Sequence, residues 1–303
     1  MAQIYWLSDG CGRDVGDVPV VLAGWIRDFG NADLVVYGGD VYHQGSSSEF
    51  DEFLAQIGPD FSRVCAVPGN HEWRSAKSSS STGEIPDGFE SFWMRLPPPQ
   101  SQRPIDASKQ GSARYDHVID MNGWRLIFVD TARAGHDNGY WPKDDEGRVQ
   151  WLNDALTSVP GRSKIVFTHH SRLSLGIHGD NGNVDPLWQS LFDSVTQLPL
   201  VACTFGGHDH NVSVYQPRAK DHPGETPVPY DQGIYVFVNG LGGSGRHEPV
   251  WGSAPEFKHS DSFCISRITL IDERSADIDV LSFGPTAQQP PTPLDQSLVM
   301  IRN

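Results

Sequence analysis

The stretch Leu34-Val35-Val36-Tyr37-Gly38-Gly39-Asp40 decides how this chain folds. Four apolar residues are too few for a helix, and the two glycines and carboxylate after them mark a buried strand ending in a turn that carries chemistry. The same grammar stands on either side: Ile4 to Leu7 runs into Ser8-Asp9-Gly10, and Val64 to Val67 runs into Pro68-Gly69-Asn70-His71. Between these runs, Val20 to Phe29 and Glu49 to Ile57 carry apolar residues at helical spacing. Strand and helix therefore alternate as βαβαβ, the pattern of an α/β domain with parallel strands, whose ligands gather at the strand C-termini.

From 74 to 112 the pattern lapses into Ser-rich and Pro-rich sequence, including Ser78 to Ser81 and Pro97-Pro98-Pro99, with a short helix candidate around Phe89 to Leu96. This reads as a loop insertion, either a cap over a site or a plain surface loop. Ala113 to Asp120 and Trp124 to Asp130 flank Asn122-Gly123, a strong hairpin signal. A helix from about Gly147 to Leu156 follows, then strands at Lys164 to Thr168, Val201 to Thr204 and Ile234 to Val238, and a last hairpin of Phe263 to Asp272 with Ser275 to Phe283. The Pro-rich tail from about 284 is expected to be a surface strap or frayed end. Neither a repeat nor a boundary interrupts this series, so 1–303 reads as a single domain.

Composition bounds the function. With 38% hydrophobic and 20% charged residues, the 303-residue chain has the make-up of an ordinary globular protein. A formal net charge of -15 argues against nucleic acid and anionic membrane as partners, since both select for Lys and Arg. Part of that charge can be answered by bound cations. Cys11, Cys65, Cys203 and Cys264 lie far apart without CxxC pairing, so neither a zinc finger nor a dense disulfide framework is expected. The N-terminus lacks the basic segment and apolar run of a signal peptide, which places the expected location in the cytoplasm.

The polar residues at the strand ends form a series: Asp9-Gly10-Cys11, Gly39-Asp40-Val41-Tyr42-His43, Gly69-Asn70-His71-Glu72, Thr168-His169-His170 and Gly207-His208-Asp209-His210. Carboxylate, amide oxygen and imidazole hold hard and borderline divalent metals, and a two-metal phosphatase needs one carboxylate to bridge both ions. In this order the segments resemble the calcineurin-like metallophosphoesterases over roughly residues 4 to 270. That resemblance implies a four-layer α/β/β/α sandwich of two mixed β-sheets flanked by helices. It also implies two divalent or mixed-valence metal ions (Fe, Mn or Zn), with Asp9 and His210 on the first, Asp40 bridging, and Asn70, His169 and His208 on the second.

One position departs from the family. The common pattern opens Asp-x-His, whereas Cys11 stands where the imidazole is expected. The purple acid phosphatase branch takes that ligand from a Tyr three residues after the bridging Asp, and here that residue is His43. His43 is therefore the expected replacement ligand, with Cys11 as thiolate, or neither residue, as the alternatives.

The implied reaction is hydrolysis of a small-molecule phosphomonoester, with water held between two ions about 3.5 to 4 Å apart attacking in line. His71 is the expected acid near the leaving oxygen, or a group that orients Asn70. Asn70 and His71 are also expected to touch substrate. His170 either contacts substrate or supports His169, and Asp209 faces away or makes a turn contact. His136, His178 and His247 lie in Gly-rich loops and are candidates for lining the pocket. Trp73, Trp141 and Trp251 are candidates for meeting an apolar leaving group. Two other readings use the same residues: a phosphodiesterase acting on cyclic nucleotides or lipid headgroups, and an inactive metal-binding scaffold. The sequence fixes no oligomeric state.

Overall fold

The computed structural model describes residues 1–10, 18–41, 49, 51, 53–55, 62–72, 115–132, 139–141, 146–243, 252–284, 290–294 and 300–302. Cys11, His43, His136, His247, Trp73, Trp251 and the whole 74–112 segment lie outside these residues. Among the described residues the strands are β1 (Ala2–Leu7), β2 (Leu34–Tyr37), β3 (Val64–Ala66), β4 (His117–Met121), β5 (Trp124–Phe128), β6 (Lys164–Phe167), β7 (Cys203–Gly206), β8 (Val212–Arg218), β9 (Ile234–Asn239), β10 (Phe257–His259), β11 (Cys264–Leu270), β12 (Ser275–Ser282), β13 (Thr292–Pro293) and β14 (Met300–Arg302). The helices are α1 (Val18–Phe29), α2 (Glu146–Thr157) and α3 (Asp185–Ser190). None of them is long and apolar enough to cross a membrane.

The strands form two mixed sheets. The first runs β13-β12-β11-β1-β2-β3, with β14 also pairing β12, and the second runs β10-β8-β9-β7-β6-β5-β4. Parallel pairing joins β1, β2 and β3 in the first sheet and β5, β6, β7 and β9 in the second. Parallel strands point their C-termini the same way, so each sheet has one edge at which loops carrying polar residues collect.

Alternation of side chains explains the layers. On β1, Ile4 and Trp6 enter the core between the sheets, while Tyr5 and Leu7 face α1 together with Leu22 and Ile26. On the second sheet, Phe128, Phe167 and Phe205 face inward, and Ile127, Val166 and Val236 face Leu152 and Leu156 of α2 and Trp188 of α3. Three apolar clusters thus separate four layers, α/β/β/α. Inside, a row of rings crosses the second sheet: His117 on Phe128 (4.2 Å between centroids), Phe128 on Phe167 (5.0 Å), Phe167 on Phe205 (5.4 Å) and Phe205 on Phe237 (4.8 Å). Trp6 of the first sheet stacks on Phe167 at 5.6 Å, and its indole N–H donates to the Asn239 carbonyl. Each such buried ring contributes roughly 1.5–3 kcal/mol, and together they fix the spacing of the two sheets just beneath the loops that follow Phe167 and Phe205.

Elements beyond the sequence reading include α3, at six residues too short to give a helical signal, and two strands of the second sheet. β8 was not anticipated, because Val212-Ser213-Val214-Tyr215-Gln216-Pro217-Arg218 contains a proline. The register against β9 shifts between Tyr215 and Arg218, an irregularity that lets a strand accommodate Pro217. β10 is three residues long and too short to give a periodic signal. In the described part of the tail, β13 and β14 both pair with β12 on its outer side.

Candidate metal centre

Each donor sits where a strand hands over to its loop. Asp9 follows β1, Asp40 follows β2, Asn70 and His71 follow β3, His169 and His170 follow β6, and His208 and His210 follow β7. The turns are tight enough to force left-handed backbone at Asp9 (φ 59°), Asp40 (φ 53°) and His208 (φ 69°). Non-glycine residues in this region are uncommon and cluster at functional sites, because the surrounding structure must hold the strain. At two positions glycine is required by close approach: a Cβ on Gly69 would lie 2.2 Å from Asp40 Oδ1, and one on Gly207 would lie 2.0 Å from Ser8 Oγ.

Asp9 is fully buried. Its Oδ2 accepts from the His208 backbone N–H (2.9 Å) and the Ser8 hydroxyl (2.7 Å). Its Oδ1 is buried with no hydrogen-bond donor, and His210 Nε2 stands 3.6 Å from it. Asp40 is 2% exposed. Its Oδ1 accepts from the His71 backbone N–H (2.9 Å), and its Oδ2 faces His169 Nε2 at 3.4 Å and His71 Nε2 at 3.6 Å. Burial alone would raise the Asp40 carboxyl, but the His169 and His71 imidazoles hold it below the usual carboxylate range.

Glu72 ties the first sheet's loops together. Its carboxylate accepts from the backbone N–H groups of Asp40 and Val41, both at 2.8 Å, and of Gly69. Burial and the nearby Asp40 carboxylate push Glu72 up to about 8, against the pull of those amides.

The imidazoles are held with equal care. His169 Nδ1 lies 2.7 Å from the Gly38 carbonyl oxygen, which can only accept, so Nδ1 carries the proton. Its Nε2 faces Asn70 Oδ1 at 3.2 Å and Asp40 Oδ2 at 3.4 Å. Burial works against a charge on His169, yet Asp40 and Asp9 together raise it to about 10. His208 Nε2 is buried with no partner, and burial and the neighbouring imidazoles push this ring well below the ordinary histidine value.

These observations fit bound cations. In this centre two buried ligand-type atoms, Asp9 Oδ1 and His208 Nε2, lack any hydrogen bond, a cost native proteins rarely accept unless another species satisfies them. The ligand atoms of Asp9, Asp40 and His169 lie within 4.8 Å of one another, and so do ring nitrogens of His169, His170 and His208. His169 belongs to both donor groups, and Asp40 Oδ2 lies 3.4 Å from its Nε2. Oxygen and imidazole donors in such sets accept manganese, iron or zinc.

The structure thus brings Asp9, Asp40, Asn70, His71, His169, His170, His208 and His210 to one place, with His71 (13% exposed) and His210 (16% exposed) toward its open side. His178 joins them, its ring 4.0 Å from that of His208. Asp209 makes loop contacts, accepting from the Ser174 hydroxyl and the His178 backbone N–H. Trp141 is 3% exposed, with the Arg148 guanidinium 4.4 Å from the centre of its ring. Ser8, the Gly38 carbonyl and Thr131 were not foreseen as site residues. A signal for Thr131 existed, since β5 runs into Asp130-Thr131 as its neighbours run into donors.

Residues 17–212 match the family described as calcineurin-like phosphoesterase. Over 61% of its length the chain is 28% identical to a glycerophosphodiester phosphodiesterase, GpdQ, of Enterobacter lignolyticus, covering 59% of that protein. Over 73% of its length it is 28% identical to a probable inactive purple acid phosphatase of Arabidopsis thaliana, covering 36% of that protein. Among solved structures, a purple acid phosphatase from yellow lupin seeds superposes with a TM-score of 0.64 at 18% identity, covering 96% of this chain and 52% of the lupin protein. The chain therefore spans only part of each of these relatives.

Proposed function

Because the chain belongs to the calcineurin-like phosphoesterase family, we propose that it is a metal-dependent hydrolase of small phosphoesters, acting on phosphomonoesters at the centre described above. The observation that carries this reading is the pair of buried, unpartnered ligand atoms, Asp9 Oδ1 and His208 Nε2, in two donor groups that share His169.

In this reading Asp9 and His210 would hold one ion, Asn70, His169 and His208 would hold the other, and Asp40 would be available to both. His43 completes the first set, in place of the imidazole that Cys11 does not supply. The ions, when bound, supply a water of lowered pKa and neutralise the charge on the phosphoryl oxygens. The chain's own residues do the rest. The Gly38 carbonyl keeps the His169 proton on Nδ1 and so keeps Nε2 open for a ligand bond. Asn70 and His170 orient the phosphoryl group. His71, at the open side, gives a proton from Nε2 to the departing oxygen.

A second reading, hydrolysis of phosphodiesters, is favoured by the glycerophosphodiester phosphodiesterase among the relatives. The probable inactive relative makes a metal-binding scaffold the outcome to test against. Chelator-stripped protein given manganese, iron or zinc, then assayed on nitrophenyl phosphate and on its bis-ester, separates the three. Faster turnover of the monoester supports the first reading, faster turnover of the bis-ester supports the second, and metal uptake without turnover of either supports the scaffold. His43→Ala and Cys11→Ala run alongside, and only the former is expected to abolish activity.

A further inference from the structure

His169 and His170 are adjacent, both buried, and both have a ring nitrogen in the cluster with His208. Their Nδ1 atoms face different chemistry. That of His169 faces a carbonyl, which accepts only. That of His170 faces the Thr131 hydroxyl at 3.1 Å, which can donate or accept.

The choice is settled by counting the hydroxyl's partners. Thr131 is 0% exposed, and its Oγ1 already accepts from the His170 backbone N–H at 3.0 Å. Among the described residues, the one other polar atom beside that hydroxyl is His170 Nδ1. A buried O–H left without an acceptor costs about 1–3 kcal/mol, so the hydroxyl proton goes to Nδ1. Nδ1 is then an acceptor, and the ring proton must sit on Nε2. The backbone of Gly139 (φ 86°) closes on the ring, where an added Cβ would lie 2.8 Å from His170 Cγ. Thr131 and Gly139 together fix both the proton and the plane.

We propose that Thr131 is a positioning residue that holds His170 in the Nε2–H tautomer, so that His170 is a hydrogen-bond donor to a phosphoryl oxygen and not a third imidazole on a metal. The donor role rests on the reading of this centre as a phosphoester site; the tautomer does not. Two neighbouring histidines are thereby set to opposite tasks, His169 presenting a lone pair and His170 presenting a proton.

The test uses the zinc-loaded chain with ¹⁵N-labelled histidine, read by long-range ¹H–¹⁵N correlation, with His170 assigned from the spectrum of His170→Gln. Wild type and Thr131→Ser are expected to show a protonated Nε2 and a bare Nδ1 at His170. Thr131→Val, which keeps the shape and removes the hydroxyl, loses that pattern. Zinc content stays at the wild-type level in all four proteins. Inorganic phosphate, titrated calorimetrically, binds about tenfold more weakly to Thr131→Val and His170→Gln than to wild type, as loss of one hydrogen bond to a charged group predicts. A protonated Nδ1 on His170 in wild type, or loss of zinc from His170→Gln, overturns the proposal. If Thr131→Val does not fold, the wild-type and Thr131→Ser spectra still decide the tautomer. If phosphate fails to bind zinc-loaded wild type, the phosphoester reading and the donor role fall together, while the spectra judge the tautomer by itself.

Discussion

The two sheets meet at the metal centre with different chemistry. The first brings oxygen: Asp9, Asp40 and Asn70 stand at the ends of β1, β2 and β3. The second brings nitrogen: His169, His170, His208 and His210 stand beyond β6 and β7. Each set is held by the other's loops. Asp9 is oriented by the His208 backbone N–H from the second sheet, and His169 by the Gly38 carbonyl from the first. Neither half is a site alone. The spacing of the sheets, fixed by Trp6 on Phe167, is part of the coordination geometry.

The largest effect separates the shared oxygen from an unshared nitrogen. If Asp40 serves two ions, as proposed, Asp40→Asn is expected to release both and to lower nitrophenyl phosphate hydrolysis by more than the about 100-fold at the upper end for losing a supporting residue. His208→Ala, removing a donor to one ion, should release one. Metal analysis per chain reads the difference, and equal losses in the two variants would refute the bridging role of Asp40.

The next two predictions compare the supports. Behind the imidazole side, Arg148 is fully buried and paired with Asp116, donating from Nη2 at 2.7 Å, and it also donates to the Asp130 carbonyl. Arg148→Met leaves Asp116 charged and buried, so urea unfolding should show a loss of about 3–5 kcal/mol. A loss under 1 kcal/mol would mean the ion pair does not support that layer. On the oxygen side, Glu72→Gln puts an amide NH₂ against backbone N–H groups that the carboxylate now accepts from. Metal affinity should fall about 10- to 100-fold, and an unchanged affinity would mean that the Asp40 loop holds its shape without Glu72.

The same division marks what was legible in the sequence. The donors themselves could be read because metal ligation needs particular residue types, and strands too short to be helices placed Asp9, Asp40 and Asn70 at their ends. The supports were harder. Thr131 and Ser8 act through a single hydroxyl, a group common in loops; the partner of Thr131 lies 39 residues away at His170, and Ser8 reaches both its neighbour Asp9 and Gly38, 30 residues away. Gly38 acts through its carbonyl, which every residue has. Trp141 reads as a loop aromatic and is in fact buried beneath the Arg148 guanidinium, because sequence gives no sign that a helix arginine turns inward. β8 was hidden by Pro217, whose register irregularity only pairing with β9 could reveal.

The smallest effect lies behind Thr131, where Asp130 Oδ2 is buried without a partner while Oδ1 accepts from the Ala132 N–H at 2.8 Å. Burial, countered by Arg148 and reinforced by Asp116, pushes this carboxyl well above the carboxylate range. A folded pKa above the unfolded value of about 3.9 means that the folded state holds the proton longer, so this group's contribution declines as pH rises from about 4 toward the raised value. Asp130→Asn removes that titration and still offers an oxygen to Ala132. Urea unfolding at pH 5 and pH 8 should therefore show a shallower decline for the variant than for wild type. Parallel pH profiles would mean that Asp130 is ionised in the folded protein, with Arg148 answering its charge, and would place a second ion pair beneath the imidazole half of the centre.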